Sequence, residues 1–216
     1  ALVAGAVWMS VLYARAGRER TEALRQARIA QAVNDFLNDD LLAAADPSRT
    51  PDPDIKMRTV LETAAKKIEK GFAGEPLVAA AVRRTLGRTF NAIGVVDESE
   101  KQLRAAIGMY RATGGPGATD ALKIEVDLGG LLYNAGRPAE AEAILKSAYE
   151  GLRKALGETN QNTVNALTEL AVTRYDQGQL DEAEALGRKA LDAGLRGGGE
   201  KADETLEAMN LIAMID

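Results

Sequence analysis

The side chains that could carry chemistry are few here, and their spacing decides against most reaction types. Histidine and cysteine are both absent. Their absence removes the side chain best suited to proton transfer near neutral pH, the commonest metal ligand, thiolate catalysis and disulfides. The four serines are Ser10, Ser48, Ser99 and Ser147, and none stands in a G-x-S-x-G elbow. The stretches Gly114-Gly115-Pro116-Gly117 and Gly197-Gly198-Gly199 have the glycine density of a phosphate cradle. They lack the preceding strand and the Lys and Ser/Thr that P-loop chemistry requires, so flexible linkers are expected. Asp39-Asp40 and Asp52-x-Asp54 are paired carboxylates with nothing else of an acid–base or metal site in the pattern. The expectation is a non-catalytic chain without a cofactor or a metal site.

The elements around these residues read as helices. Ala, Leu, Glu, Lys and Arg dominate the 216 residues, and aromatic residues make up only 4%. The net charge of −5 is uneven, since Arg15, Arg18, Arg20, Arg25 and Arg28 face only Glu19 and Glu22 at the amino-terminal end. The remaining body is acidic and has no basic stripe, which argues against nucleic-acid binding. An apolar run from Ala1 to Tyr13 precedes those arginines. It is shorter than the ~20 residues that span a bilayer. With its aromatic end and Arg-rich flank, it reads as the trailing part of a transmembrane helix over 1–16. Two other readings stay open: a signal-peptide core ending at Ala14-Arg15-Ala16, and an ordinary buried helix start.

A long helix is expected from Ala14 to Ala45, with Leu24, Ala27, Val33, Phe36, Leu37 and Leu41 broadly on one face. A Pro/Asp-rich loop follows over Asp46 to Asp54, with Asp54 as N-cap of a helix from Ile55 to about Lys70. Val60, Leu61, Ala64 and Ile68 form its apolar stripe, and Gly71 to Gly74 breaks it. Beyond this, Gly94, Gly136 and Gly178 recur 42 residues apart, each inside the same pattern. The three stretches begin at Leu86-Gly87, Leu128-Gly129 and Leu170-Ala171, and small residues return at Ser99, Ala141 and Ala183. A fixed period of this length marks a helical solenoid of stacked hairpins, each hairpin turning at its glycine. Shifted by one period, Thr163 to Ala171 lands on Thr205 to Ala213, a fourth copy cut short before Asp216. The chain therefore reads as a fragment at both ends: an N-terminal helical region over 17–76, then repeats over 77–216. The repeats run about 80–121, 122–163 and 164–205, with the truncated copy from 206.

The repeat residues resemble the tetratricopeptide (TPR) motif. Leu86-Gly87, Phe90, Gly94, Ser99, Leu103 and Ala106 match it first, then Leu128-Gly129, Leu132, Gly136, Ala141, Leu145 and Ala148. Leu167, Leu170-Ala171, Gly178, Ala183 and Ala190 match it a third time, with departures at Arg174 and Gly187. The 42-residue period, with Ala155-Leu156-Gly157, resembles the longer kinesin-light-chain type. The resemblance implies an all-α, right-handed α-α superhelix, here preceded by a long N-terminal helix. A second resemblance rests on Ala32 to Leu42, Ala45-Asp46-Pro47, Leu61 to Ala65 and Gly74 to Leu77. These stretches are similar to the segment after the membrane span in bacterial signalling proteins. Such proteins carry a serine/threonine kinase or a winged-helix DNA-binding domain ahead of the span.

In this family the functional surface is the concave face, made by the first helix of each hairpin. The resemblance places there Ala81, Arg84, Arg88 and Asn91, then Lys123, Val126, Gly130, Tyr133 and Asn134. The third set is Asn165, Thr168, Val172, Tyr175 and Asp176. Arg84, Arg88 and Lys123 would form a basic patch, with Tyr133 and Tyr175 as anchors. The clamp with which some TPR domains hold a chain-terminal carboxylate is expected to be absent, because Arg88 and Asp127 stand where it needs Asn. The implied function is a non-catalytic interaction or sensor domain of a single-pass bacterial membrane protein, taking a protein or peptide in its groove. Self-association is compatible with this, and the N-terminal helix would be the membrane contact. An upstream kinase would make the whole protein an enzyme without making this segment one; a winged-helix regulator or a free-standing adaptor are the other contexts. By the positive-inside tendency the arginines favour the cytoplasm; the resemblance favours the extracytoplasmic, periplasmic side.

Overall fold

The computed structural model describes residues 2–36, 57–72, 74–199 and 202–215. Those residues form helices only: α1 (Leu2–Asp35), α2 (Met57–Gly71), α3 (Pro76–Ala92), α4 (Val96–Thr113), α5 (Pro116–Asn134), α6 (Pro138–Leu156), α7 (Gln161–Asp176), α8 (Leu180–Gly197) and α9 (Asp203–Ile215). The chain divides into two compact units, Ala1–Lys67 and Ile68–Asp216.

In the first unit, α1 carries intrahelical ion pairs, Arg15 to Glu19 and Arg25 to Glu22, that support a helix locally. The expected apolar face is buried only in part among the described residues. Leu24 is 63% exposed and Ala27 is exposed, whereas Phe36 and the unanticipated Ile29 are buried. Charged and amide residues ring α1 beyond Tyr13, which leaves room for single apolar contacts but no continuous buried face. Leu37 and Leu41, the loop over 46–54 and the Asp54 cap lie outside the described residues. No helix among the described residues is long and apolar enough to cross a membrane. α2 crosses the boundary between the units and buries Val60, Leu61, Ala64 and Ile68, the stripe its periodicity predicts.

The second unit is a series of helix hairpins. α3 and α4, α5 and α6, and α7 and α8 pair within hairpins, and each hairpin packs on the next. Every hairpin closes in the same way. Gly94, Gly136 and Gly178 have φ of 74°, 74° and 76°, a left-handed conformation that costs glycine nothing. Beyond each glycine the chain makes paired bonds back to the helix: the Val95 N–H donates to the Phe90 carbonyl and the Gly94 N–H to Asn91, both at 2.9 Å. Arg137 to Leu132 with Gly136 to Tyr133, and Gln179 to Arg174 with Gly178 to Tyr175, repeat the arrangement. This double bond pattern satisfies carbonyls that the helix end would otherwise orphan.

Inside each hairpin the small residues sit at the contact. A Cβ on Gly129 would lie 2.5 Å from Leu145, and one on Gly87 would lie 2.8 Å from Leu103. Ala141, Leu145 and Ala148 of α6 are fully buried, as are Leu128, Leu131 and Leu132 of α5. Ser99 donates from Oγ to the Gly87 carbonyl at 2.8 Å, a bond that its alanine counterparts cannot make. The departures in the third repeat are accommodated. α9 fills the space at Gly187, where a Cβ would lie 3.0 Å from Ile212, and Arg174 donates to Glu142 of the preceding hairpin at 2.5 Å. α9 itself packs on α7 and α8 as the first helix of a further hairpin would.

The glycine stretches between hairpins are only partly linkers. Gly114 and Gly115 make the turn, with φ of 62° and 52°. Gly117 instead lies buried in α5, where a Cβ would meet the Tyr110 carbonyl at 2.7 Å. Gly197 ends α8 with Thr159 against it, leaving 2.0 Å from a Cβ to that residue's carbonyl oxygen. Close backbone approach, not flexibility, selects glycine at those two positions.

Candidate functional site

α3, α5, α7 and α9 follow one another along one side of the second unit, each touching the next. A cavity of about 330 Å3 opens over the first three. Arg88 and Asn91 line it from α3, Asp127, Gly130 and Asn134 from α5, and Asn165 and Glu169 from α7. A second cavity of about 260 Å3 shares Glu169 and adds Thr168, Val172, Glu207 and Met214. Residues that sequence places on separate repeats thus meet in one open groove.

The groove residues expected from the sequence divide into three groups. Arg88, Asn91, Val126, Gly130, Asn134 and Asn165 line the first cavity, while Thr168 and Val172 line the second. Thr168 is buried and its hydroxyl donates to the Val164 carbonyl of its own helix at 3.1 Å, so it offers shape more than bonding. Tyr133 and Tyr175 are half-buried and line neither cavity; Tyr133 packs against the core, which removes much of its surface from a partner. Ala81 is buried and Asp176 is exposed.

The basic patch changes character. Arg84 donates from Nε to Asp127 Oδ2 at 2.6 Å, and Lys123 donates to Asp120 of its own helix at 3.0 Å. Carboxylates one repeat or one turn away therefore neutralise two of the three cations. Arg88 remains, exposed and without an ion pair among the described residues.

Sequence reasoning missed Glu169 and Glu207, and took Asp127 only as a departure from the carboxylate clamp. Asp127 and Glu169 stand one period apart, at a register position between two that were counted, and both face the cavity. Glu207 stands one period after Asn165, itself one period after Lys123. Repetition of an acidic residue at one register position was the available signal. Burial, reinforced by the charges of Glu207 and Asp127, raises the pKa of Glu169. Burial also raises that of Glu207, with help from Glu204 and Asp203. Amides, one guanidinium and carboxylates can bond and pair with a ligand; the lining holds no serine, cysteine or histidine to act as a nucleophile. Among the described residues no group of three or more carboxylates is placed to hold a metal ion.

The period, the hairpin closure and the small-residue contacts coincide with a family pattern. Residues 120–196 match the family model described as tetratricopeptide repeat. Over those residues the chain is similar to TPR repeats in sequence as well as in fold. Solved structures agree on the fold across more of the chain. BtubC (BKLC) from P. vanneervenii superposes with a TM-score of 0.64 at 14% identity, covering 88% of this chain and 80% of its own. Kinesin-light-chain TPR-like repeats from Podosopora anserina superpose at 0.60 with 17% identity, covering 88% and 84%. At such identities the likeness speaks for the all-α TPR superhelix alone. Among curated proteins, none matches the sequence.

Proposed function

We propose that this chain is the interaction segment of a signalling protein, binding a protein or peptide along the α3–α5–α7 groove. TPR folds serve as protein-interaction scaffolds, which sets the class. The observation that carries the reading is the convergence of Arg88, Asn91, Asn134 and Asn165 from three helices on one open cavity. Amides supply both donors and acceptors, the complement an extended backbone needs. A photo-crosslinking amino acid placed at Asn134 in the native host tests this, with Lys146, exposed on α6, as the comparison position. Adducts from Asn134 and not from Lys146 are expected; adducts from Lys146 alone would place the interaction surface on the second helices.

The membrane context belongs to the same proposal. Met9, Leu12 and Tyr13 of α1 are exposed, and Arg15 begins a basic flank. An apolar helix end with an aromatic and then arginines suits a membrane–water boundary. The extracytoplasmic side for the repeats rests on the resemblance to bacterial signalling proteins, against the positive-inside tendency of the arginines. The cellular gene product should then be extracted by detergent and not by high salt or alkaline carbonate. Surface protease should cut the repeats only once the outer barrier of the cell is opened, and release of the protein by carbonate would end the membrane reading. A kinase or a winged-helix domain ahead of α1 would give the groove the same role, that of receiving the signal.

A further inference from the structure

We propose that the groove takes its partner through a lysine or arginine side chain whose cation seats against Glu169, between Asp127 and Glu207. This rests on the reading of the groove as a protein-binding surface and adds the chemistry of the bound segment.

The charge distribution carries the argument. Going from α3 to α9, the groove presents Arg88, then Asp127 already paired with Arg84, then Glu169, then Glu207. The Glu169 carboxylate has neither a hydrogen-bond donor nor a cation as partner among the described residues. Its Oε2 looks onto Gly130, where even an added Cβ would stay 3.7 Å away, so the floor beside it is bare backbone. It lines both cavities, the residue their linings share. A partly buried carboxylate facing other carboxylates is poorly solvated and unpaired, and a cation that reaches it relieves both costs. The raised pKa of Glu169 has these same two causes, burial first and the charges of Glu207 and Asp127 after it.

The reach and the surroundings favour a long side chain on an extended segment. Val126 and Leu131 line the approach, and the stem of a lysine or arginine can lie on such carbons while its head meets the carboxylate. Asn91, Asn134 and Asn165 surround the same cavity with amides that can bond the segment's backbone. An acidic segment would instead meet Arg88 alone and be repelled by Glu169 and Glu207 over the remainder of the groove.

The test uses the full chain and three degenerate nonapeptide libraries on beads, alike except for a central residue fixed as Lys, Gln or Glu. The Lys library should be retained at least about tenfold better than the Gln library, and the Glu library least. Glu169→Gln, which keeps shape and removes charge, should abolish the preference for Lys. Glu150→Gln, exposed on α6 and away from both cavities, should keep it. Circular dichroism of each variant confirms folding. Retention of peptides without a preference for Lys, or with a preference that survives Glu169→Gln, overturns this proposal while leaving peptide binding in place. No retention from any library by a folded chain overturns the binding reading as well.

Discussion

Single side chains in this domain differ sharply in what they contribute. Ser99 is fully buried and its hydroxyl is bonded to the Gly87 carbonyl. Thr163 is as deeply buried, yet its hydroxyl has no hydrogen-bond partner among the described residues. Ser99→Ala removes a made bond while the Gly87 carbonyl keeps its acceptor place in the α3 helix ladder, so it should cost about 0.5–1.5 kcal/mol in denaturant unfolding. Thr163→Val removes only an unmet polar group and should leave stability unchanged or raise it. Equal losses for the two would show that the Ser99 bond does not hold in solution. Glu169 allows a prediction in pH. Its folded-state pKa lies above the unfolded value, so the native chain binds more protons than the unfolded chain between the two. Its contribution to stability is most favourable below the ordinary glutamate value of about 4.3 and declines as pH rises through the raised folded value. Glu169→Gln should therefore raise the denaturation midpoint at neutral pH, and that gain should disappear at acid pH. A gain that is constant with pH would mean that the carboxylate is not desolvated.

At the scale of helices, turn and contact are separable. Gly136 closes the α5–α6 hairpin at φ 74° with open space around its Cα. Gly136→Ala should thus cost about 1–2 kcal/mol from backbone strain alone. Ala141 is fully buried on α6, on the face that meets α5, and has ordinary helical geometry. Ala141→Leu should destabilise by about 1–3 kcal/mol through overpacking, whereas Lys146→Ala, exposed on the same helix, should cost less than about 0.5 kcal/mol. Urea midpoints for the three variants check this. If Ala141→Leu were as mild as Lys146→Ala, the register of α6 on α5 would be wrong. The ion pairs between hairpins follow the period too: Glu100 accepts from Arg137 and Glu142 from Arg174, each acid one period from the other. Hydrogen bonds from Arg137 and Arg104 hold the Glu100 carboxyl below its usual range against the opposing effect of burial.

In the repeat unit as a whole, each hairpin leans on its neighbours, and stability is close to a sum of repeat and interface contributions. Ile212 of α9 is buried and lies 3.0 Å from the position a Cβ would take on Gly187 of α8. Ile212→Ala should cost about 2–5 kcal/mol at that interface. The loss should be local: amide hydrogen exchange should quicken in α8 and leave α4, two hairpins back, protected. Equal loss of protection in α4 and α8 would mean that the unit unfolds as one cooperative block.

The sequence by itself determined what repeats. A glycine every 42 residues, small residues at fixed offsets and an apolar stripe on α2 each follow from local backbone and helix geometry, so hairpins, turns and core faces were legible. The resemblance to TPR repeats, and not the period, put Asn91, Asn134 and Asn165 on one concave face. Tertiary structure decided what depends on neighbours. Whether Arg84 is a free cation turns on Asp127, 43 residues away, and only stacking of α5 on α3 brings them to 2.6 Å. Whether Gly117 and Gly197 bend or pack turns on the Tyr110 and Thr159 carbonyls placed against them. On α1 the spacing marks a face, but Phe36 is buried while Leu24 and Ala27 are exposed, because spacing alone cannot say where a partner covers that face. The acidity of the groove was hidden for a related reason. Charge at one position is plain in a sequence, but its meaning is set by burial and by the charges that folding brings close, and at Glu169 those come from two other helices, α5 and α9.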